Sequence, residues 1–468
     1  MLRNYSNILP VVAVSFLLAL INIQSGHAWG GDFSLYIAQA KSILTGNTHE
    51  LYLMNKFSMD HSELPLGPYL YPMGYPALLA PAYHFFGLNF IALKVYNLLF
   101  FIGTIPLVFS LLGSIGTDRR LVFFSTFLYA INYQLIYAGD RLGSEFSFMF
   151  FAMLSLYLML KSRKSESMLL AAGLGLSVFA SFSIRVTGMV LLPTMICFQV
   201  VEILRTKQFN WKKNLIPYLV FGICWLGYTR FFESIDDRYM EVFEVTPASL
   251  WFTLTGFGEH MVEFVLCLKY FPNIMKIGAA IFFYTLFAIG LRGFFRRDQL
   301  FLLGFCSMIL GLHLIVPFCD IRFLFVITPF IIYSFLQGLF HVGSKIRWIP
   351  GVDKIKVIAY SMLFLGFAQS FVTISVQAIK DSNKVLDTEM EEIYAYINEF
   401  VPDEKVIVFH KPRVLRLFTK NNGIFVHDYQ SEQAAVADLF LIKTEENPGA
   451  GFQVCKEWKS FKLMERQE

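Results

Sequence analysis

Seven ionisable residues stand beside long apolar segments, and their types could carry out acid–base chemistry or bind charged groups. A carboxylate there can take a proton from a reacting group, and a guanidinium group can pair with an anion. Ionisable groups at membrane depth are functional candidates, because a charge there costs about 2.5 to 3.5 kcal/mol. The seven residues are Asp32, Asp140, Arg141, Glu145, Arg185, Asp320 and Arg322.

All seven lie at one end of the apolar segments, in turns that come from different parts of the chain. Asp32 follows the first segment almost at once, and Arg322 stands at the start of the tenth. Turns that bring both signs of charge to one face predict a polar cavity there. The alternative is that these side chains only reach to water or pair with each other, as Asp320 and Arg322 could.

The elements that must position these residues are eleven apolar segments. A helix that crosses a membrane needs about 20 mostly apolar residues. The composition fits a membrane protein, because 56% of the residues are hydrophobic, only 16% are charged and the mean hydropathy is +0.53, whereas a soluble domain has about 25% charged residues. The predicted spans are residues 6–26, 89–114, 120–137, 144–161, 168–183, 186–204, 214–232, 274–292, 299–316, 323–341 and 356–377.

Lysine and arginine residues indicate which side of the membrane each connection faces. Alternate connections contain 17 of them, against seven in the intervening connections. The positive-inside rule then predicts a cytoplasmic N-terminus, and an odd number of spans sends the C-terminal segment to the outer, periplasmic side. We therefore expect a multi-pass protein of the inner (plasma) membrane. The net charge of +4 is spread over many short loops, which argues against a nucleic-acid partner.

The first segment has a second interpretation as a cleaved signal peptide. Arg3 precedes an apolar run at residues 11–23, and the small residues Gly26 and Ala28 follow. Cleavage would leave the topology of the other spans unchanged, so the loop charges do not decide between the two. It would put Asp32 on a free, fraying chain end, which argues for a retained span.

Two outer connections are long enough to hold structure of their own. They are residues 27–88 and 233–273. In the first, the apolar residues from Phe33 to Leu44 fall mainly on one side of a helix, which predicts an interfacial helix with Asp32 near its N-terminus. A second such helix is expected from Ala77 to Phe86, after a bent entry at residues 71–76 that two prolines fix.

The chain divides into a transmembrane domain, residues 1–380, and a tail, residues 381–468, of different character. The tail alternates an amphipathic helix with short apolar strands, which predicts a small extracytoplasmic α/β domain of about 80 residues. It contains no recognisable catalytic motif and is interpreted as a support or acceptor-docking module. The predicted elements are helices at 390–400 and 412–418 and strands at 406–409, 424–426 and 439–442.

The spacing of histidines gives no pair of metal ligands. His27, His49, His61 and His84 lie in or beside the first outer connection without such spacing. A lone Asp32 carboxylate is a poor site for a divalent cation. No cofactor is predicted, and dependence on a divalent metal is not expected.

Six stretches carry a resemblance to a known family. They are Gly31-Asp32 through Gly46, Tyr71 through Ala80 with Phe86-Gly87, Gly143-Ser144-Glu145, Ser183 through Pro193, Asp320 through Pro329, and Tyr396 through Leu415. Together they resemble the GT-C membrane glycosyltransferases, in the branch that includes bacterial protein-mannosyltransferase-like and lipid A aminoarabinose-transferase-like enzymes. The resemblance covers nearly the whole chain in the same order, although no single stretch is specific.

The resemblance implies the GT-C fold, an α-helical membrane protein with about eleven transmembrane helices and interfacial helices in its outer loops. It implies inverting transfer of a sugar from a polyprenyl-phosphate carrier to a lipid, glycan or protein acceptor on the outer face. Asp32 would be the general base, and Arg322 and Arg185 would bind the carrier phosphate. The residues that would contact the acceptor or the sugar are Glu145, Asp140, Tyr36 and Tyr71.

Two other functions stay open. A multi-span transporter or flippase for a lipid-linked substrate would also have a polar cavity, but transporters tend to show an internal repeat and need gates on both faces. The sequence has no such repeat, and its polar cluster lies at one face. A non-catalytic scaffold that binds the lipid carrier would use Asp32 and Arg322 for binding alone. The transferred sugar and the acceptor are not predicted.

Overall fold

Helices make up most of the part of the chain that the computed structural model describes. The described residues are 8–27, 30–64, 67–116, 118–163, 165–232, 245–266, 273–295, 299–316, 318–345, parts of 361–376, and 388–467. The helices up to residue 345 are α1 (Leu9–Asn22), α2 (Gly31–Thr45), α3 (Thr48–Asp60), α4 (Gly74–Phe86), α5 (Phe90–Ile115), α6 (Arg119–Ala130), α7 (Tyr133–Ala138), α8 (Glu145–Ser162), α9 (Met168–Ile184), α10 (Leu191–Thr206), α11 (Trp211–Phe231), α12 (Pro247–Leu266), α13 (Asn273–Leu291), α14 (Leu300–Leu314) and α15 (Thr328–Lys345).

The first ten predicted spans coincide with helices, and the chain is a membrane protein. The eleventh span, residues 356–377, is described in part, and its described residues are helical, with a short apolar helix at Phe364–Thr373. The predicted domain boundary at residue 380 lies outside the described residues. Within the described ranges, five helices are long and apolar enough to cross a membrane, and several other apolar helices are shorter. The five are Phe90–Ile115, Arg119–Ala138, Glu145–Ser162, Val186–Thr206 and Lys276–Phe295.

The third predicted span, residues 120–137, is not one continuous helix. It breaks after Ala130, and Asn132 caps the next helix, because its side-chain oxygen accepts the N–H of Gln134 at 3.1 Å. The amide nitrogen of Asn132 donates to the carbonyl of Phe264 at 2.8 Å. One asparagine therefore caps α7 and binds a carbonyl near the end of α12, a role that apolar periodicity does not reveal.

Small residues allow α13 and α15 to approach closely. A Cβ atom at Gly290 would stand 1.7 Å from the carbonyl oxygen of Ser334, and one at Gly338 would stand 1.9 Å from that of Leu286. Both helices therefore need glycine at the crossing. Close packing of this kind stabilises helix pairs in lipid, where the hydrophobic effect between helices is absent.

Helix α1 packs into the bundle through buried polar contacts. Ser15 donates to the carbonyl of Ala130 at 2.6 Å, and Asn22 donates to that of Ile136 at 3.0 Å. These contacts fix the point from which the chain enters α2.

The tail forms a five-stranded sheet with helices beside it. Its elements are α16 (Thr388–Phe400), β1 (Val406–Val408), α17 (Pro412–Phe418), β2 (Asn422–Ile424), β3 (Leu439–Lys443), β4 (Phe452–Glu457) and β5 (Phe461–Arg466). The order is β2-β1-β3-β5-β4, with β1 parallel to both neighbours and β5 antiparallel to both of its own. The strand predicted at 424–426 lies two residues earlier, and the β4–β5 hairpin was not predicted, because β4 is largely exposed and lacks an alternating apolar pattern.

The tail domain packs on the first long connection. Helix α3, which the sequence did not predict, binds Arg416 of α17, whose guanidinium donates to the side chains of Asn55 at 3.1 Å and Ser58 at 2.9 Å. The carboxylate of Glu63 accepts the backbone N–H of His427 at 2.6 Å. The tail therefore lies at the same end of the bundle as Asp32.

Candidate active site

Asp32 lies in the first turn of α2, where the helix dipole favours a negative charge. Gly30 precedes the helix, and a Cβ atom on it would stand 2.5 Å from the ring of Phe33 and 2.8 Å from Oδ1 of Asp32. Glycine is therefore required beside the carboxylate. The side chain of Asp32 is 26% exposed, so a substrate can reach it.

Arg322 is held in place by Asp320. This aspartate caps the short 3-10 turn at Ile321–Leu324, and its Oδ1 accepts the backbone N–H of Arg322 at 2.9 Å. Its Oδ2 accepts from both Nε and Nη2 of Arg322 at 2.8 Å. Burial acts to raise the pKa of Asp320, but the hydrogen bonds and charge of Arg322 lower it below its usual value. Asp320 and Arg322 therefore do pair with each other, as the alternative interpretation of the sequence expected. This pairing also orients the guanidinium group of Arg322 within the charged site.

The remaining nitrogen of Arg322 reaches two further carboxylates. Nη1 lies 3.3 Å from Oδ2 of Asp32 and 3.4 Å from Oε1 of Glu145. Glu145 opens α8, and the same Oε1 accepts from Nη1 of Arg185 at 2.8 Å. Three carboxylates and two guanidinium groups therefore meet at one place. They are Asp32, Glu145, Arg185, Asp320 and Arg322.

Arg185 links this cluster to the turn before α8. It lies in extended backbone between α9 and the 3-10 turn that leads into α10. Its Nη1 also donates to Oγ of Ser144 at 3.3 Å, and its guanidinium stands 5.8 Å from the ring centre of Phe323. Both arginine side chains are about one fifth exposed, at 21% for Arg185 and 22% for Arg322, so an anion can approach them.

Two of the predicted contact residues, Tyr36 and Tyr71, lie together beside the cluster. Their ring centres are 4.9 Å apart, and Tyr75 packs edge-on against Tyr36 at 5.0 Å. The hydroxyl of Tyr36 is 3.2 Å from Oγ of Ser144. Burial raises the pKa of Tyr36 and that of Tyr71, so both hydroxyls are neutral and can donate hydrogen bonds.

Asp140 is not brought into the cluster. Its Oδ1 pairs with Nζ of Lys94 at 2.8 Å and accepts the N–H of Gln24 at 2.7 Å. Lys94, only 1% exposed, also donates to the carbonyl of Gly26 at 2.7 Å. This pair fixes the chain between α1 and α2, and therefore the entry to the helix that carries Asp32.

We expect Lys94→Met to lower the free energy of unfolding by about 3 kcal/mol, because it leaves buried carbonyl groups and Asp140 without their cation. Thermal unfolding in detergent measures the change, with Lys56→Met as the matched control. Lys56 also pairs with an aspartate, Asp60, but that pair is exposed and contributes little. Equal melting temperatures for the two variants would contradict the role given to Lys94.

His313 is a site residue that the sequence analysis missed. It stacks on Phe323 with ring centres 4.4 Å apart and, with Glu145, Arg185 and Arg322, lines a narrow cavity beneath the charged cluster. Its position inside a predicted apolar span was a usable signal, because ionisable groups are expensive there.

An apolar groove of 430 Å³ is lined in part by residues that are close in sequence to Arg185 and Tyr71. Ser183 and Ile184, which line it, directly precede Arg185, and Met73 follows Tyr71 by two residues. The groove runs between α4, α9 and α11, with residues such as Leu78, Leu176, Phe179, Gly227 and Phe231 along its wall. An apolar chain whose head group sits on Arg185 could lie in it.

The sequence matches one family model over part of its length. That model is described as dolichyl-phosphate-mannose-protein mannosyltransferase, and it matches residues 43–232. No curated protein sequence matches the chain.

Solved structures match over almost the full length. One is the crystal structure of ArnT from Cupriavidus metallidurans bound to undecaprenyl phosphate, with 10% identity, a TM-score of 0.64 and 98% of each chain covered. Another is the archaeal oligosaccharyltransferase AglB from Archaeoglobus fulgidus in complex with an inhibitory peptide and a dolichol-phosphate, with 12% identity, a TM-score of 0.55 and coverage of 94% of this chain and 70% of that chain. At these identities the likeness establishes the fold.

Proposed function

We propose that this chain, which has the GT-C fold, transfers a sugar from a polyprenyl-phosphate carrier to an acceptor on the outer side of the cytoplasmic membrane. The observation that carries the proposal is the contact of one nitrogen of Arg322 with both Asp32 and Glu145, which sets a carboxylate base beside two phosphate-binding groups. The bound undecaprenyl phosphate of ArnT and the family match at residues 43–232 support a lipid-phosphate carrier.

In the proposed reaction Asp32 takes the proton of an acceptor hydroxyl while the hydroxyl oxygen attacks the anomeric carbon. Attack comes from the face opposite the phosphate, so the configuration inverts. The bond from the anomeric carbon to the phosphate oxygen breaks, and its electron pair leaves with the carrier phosphate. Arg322 and Arg185 stabilise that charge with planar donor groups. Asp32 then returns its proton to water.

The charge balance of the cluster suggests how the carrier makes Asp32 available. Three carboxylates face two guanidinium groups, so a phosphate has to displace a carboxylate from one of them. At Arg322, Asp320 has a contact of 2.8 Å, and Asp32 and Glu145 have long contacts of 3.3 and 3.4 Å. Glu145 is held a second time by Arg185 at 2.8 Å, whereas Asp32 has no second ion pair among the described residues. We infer that the carrier phosphate displaces Asp32 from Arg322 and thereby frees the base.

The four residues that were predicted to contact the acceptor or the sugar have different roles in the proposed reaction. Glu145 holds both guanidinium groups at one oxygen, and Tyr36 and Tyr71 line the space for the sugar or the lipid head group. Asp140 has no part in the reaction. The cation between the carboxylates is Arg322 itself, so we propose transfer without a divalent metal.

The apolar groove is proposed to hold the first isoprene units of the carrier, because its lining leads directly to Arg185. Gly227→Phe should fill the groove, since a side chain there meets no atom within 4 Å. Loss of about 60 Å² of apolar contact corresponds to about 1.5 kcal/mol, or about tenfold weaker binding. Binding of undecaprenyl phosphate to purified protein, followed by native mass spectrometry, measures this.

Gly222→Phe is the matched control for this prediction. Gly222 lies on the same helix, and a side chain there also meets nothing within 4 Å, but it does not line the groove. If Gly222→Phe and Gly227→Phe bind undecaprenyl phosphate equally well, the carrier chain lies elsewhere.

Transfer itself is tested with radiolabelled sugars on polyprenyl phosphate. Membranes from cells that express the chain are incubated with each donor, and label is followed into lipid, glycan and protein fractions. Label that leaves the carrier and joins an acceptor supports the proposal. Label that crosses sealed vesicles while still on its carrier would favour the transporter, and binding without either event would favour the scaffold.

A further inference from the structure

An arginine of the tail domain lies against the start of the helix that carries the base. Arg413, in the first turn of α17, is only 7% exposed. Its Nη2 donates to the carbonyl of Pro68 in the first long connection. Its Cδ atom lies 3.6 Å from the place of a Cβ atom on Gly31, the residue before Asp32.

The same arginine contacts Tyr71. Its guanidinium carbon stands 5.7 Å from the ring centre. Burial raises the pKa of the Tyr71 hydroxyl overall, although the charge of Arg413 acts to lower that pKa. Gly67 leaves room for this contact because it has no side chain. A Cβ atom there would lie close to both groups, 3.3 Å from the hydroxyl of Tyr71 and 3.5 Å from Nη1 of Arg413. Gly67 also has φ +93°, a conformation that favours glycine.

A continuous set of contacts leads from Tyr71 into the charged cluster. The ring of Tyr71 packs on that of Tyr36 at 4.9 Å. The hydroxyl of Tyr36 is 3.2 Å from Oγ of Ser144, which accepts from Nη1 of Arg185 at 3.3 Å. Arg413 is therefore joined to the arginine that the proposed reaction places on the carrier phosphate.

Arg416 provides an internal comparison. It lies one turn later on α17 and also binds the first long connection, but its partners there are Met54, Asn55 and Ser58 on α3. It also donates to Asn422 within the tail. It touches neither Gly31 nor Tyr71 in the described contacts. Arg416 thus holds the tail domain on the loop, and Arg413 makes the additional contact with the site.

We propose that Arg413 is a positioning residue for sugar transfer, and that the tail domain is therefore part of the active site and not only a support. The inference rests on the proposed transfer function. Arg413 fixes the ring of Tyr71, and through it Tyr36 and Ser144, and it packs against the start of α2 so that Asp32 and Arg185 keep their spacing. Small displacements of reacting groups are costly, since about 1 Å can lower a rate about 100-fold.

The test compares Arg413→Met with Arg416→Met in the full-length protein. Both variants remove one guanidinium that joins the tail to the loop. We expect Arg413→Met to lower kcat by about tenfold or more with little change in KM for the donor, and Arg416→Met to leave kcat within about threefold of wild type. Equal effects on kcat would mean that Arg413 only holds the domain in place, and the proposal would be overturned.

A double-mutant cycle with Tyr71→Leu, which removes the ring that Arg413 contacts, tests whether Arg413 acts through the tyrosine. If it does, the double variant is about as slow as the slower single variant. Effects that multiply would show that Arg413 and Tyr71 act independently, contrary to the proposal.

A second readout does not need transfer and separates this inference from the proposed function. The protein carries 3-fluorotyrosine at position 71, and its fluorine signal is recorded as undecaprenyl phosphate is added. We expect the signal to shift in wild type and in Arg416→Met but not in Arg413→Met. If no donor supports transfer, the proposed function fails, but this signal still tests whether Arg413 positions Tyr71. An unchanged response in Arg413→Met would overturn the inference.

Discussion

Replacing Asp32 by asparagine is expected to lower the rate of sugar transfer by about 10²- to 10⁴-fold, the range that a general base contributes. Asparagine has nearly the same shape but cannot take the acceptor proton. The same change removes the carboxylate that competes with phosphate for Arg322, at 3.3 Å. Binding of undecaprenyl phosphate should therefore be retained or become tighter. Transfer assays and carrier binding on the same preparation measure both effects.

Asp60→Asn is the control for this change. Asp60 lies in the same long connection, but it pairs with Lys56 on the exposed side of α3. Its substitution should leave transfer and carrier binding near wild type. An Asp32→Asn variant that keeps full activity would remove Asp32 as the base. One that loses carrier binding together with transfer would make Asp32 a structural partner of Arg322.

Most of the fold followed from apolar periodicity. Comparison with solved structures confirms the predicted GT-C fold, and the helix expected at Phe33–Leu44 is seen at Gly31–Thr45. Helix α3 escaped prediction because two of its four buried residues, Asn55 and Ser58, are polar, so its apolar residues do not mark the buried face. It is held instead by hydrogen bonds from Arg416, and those depend on how the tail domain docks.

The candidate site was predictable only in part, because charge and position along the chain do not tell which way a side chain points. Asp140 and Glu145 lie five residues apart at the same end of the bundle. Only Glu145, at the start of a helix, faces the arginines, and Asp140 turns to Lys94. Lys94 lies inside a predicted span, where a charge is expensive, but the sequence did not indicate which carboxylate it would meet. The proposed role of Arg413 depends on contacts across an interface between two domains, such as the one with Pro68, which is 345 residues away in sequence.

Replacing Arg322 by methionine should weaken binding of the carrier, whereas Asp32→Asn should leave it unchanged or strengthen it. Arg322 is the one side chain that contacts Asp32, Glu145 and Asp320 among the described ion pairs. Loss of charge-assisted hydrogen bonds to phosphate costs about 1.5 to 3 kcal/mol. Undecaprenyl phosphate should therefore bind about 10- to 100-fold more weakly, and transfer should fall further, because the departing phosphate loses its stabilising donor as well. Titration of the carrier and single-turnover transfer separate these two losses.

Arg322→Lys and Arg141→Met sharpen this prediction. Lysine keeps the charge but has one ammonium group, which cannot replace the planar donor set that Asp320 orients, so it should restore only a small part of the affinity. Arg141 lies at the same end of the bundle but stacks on Tyr137, outside the cluster, and its loss should change little.

Asp32→Asn should spare or tighten carrier binding, because it removes a competitor of the phosphate. Arg322→Met should weaken carrier binding, because it removes the partner of the phosphate. If both variants weaken binding alike, the carboxylate and the guanidinium act as a structural pair, and the phosphate binds elsewhere.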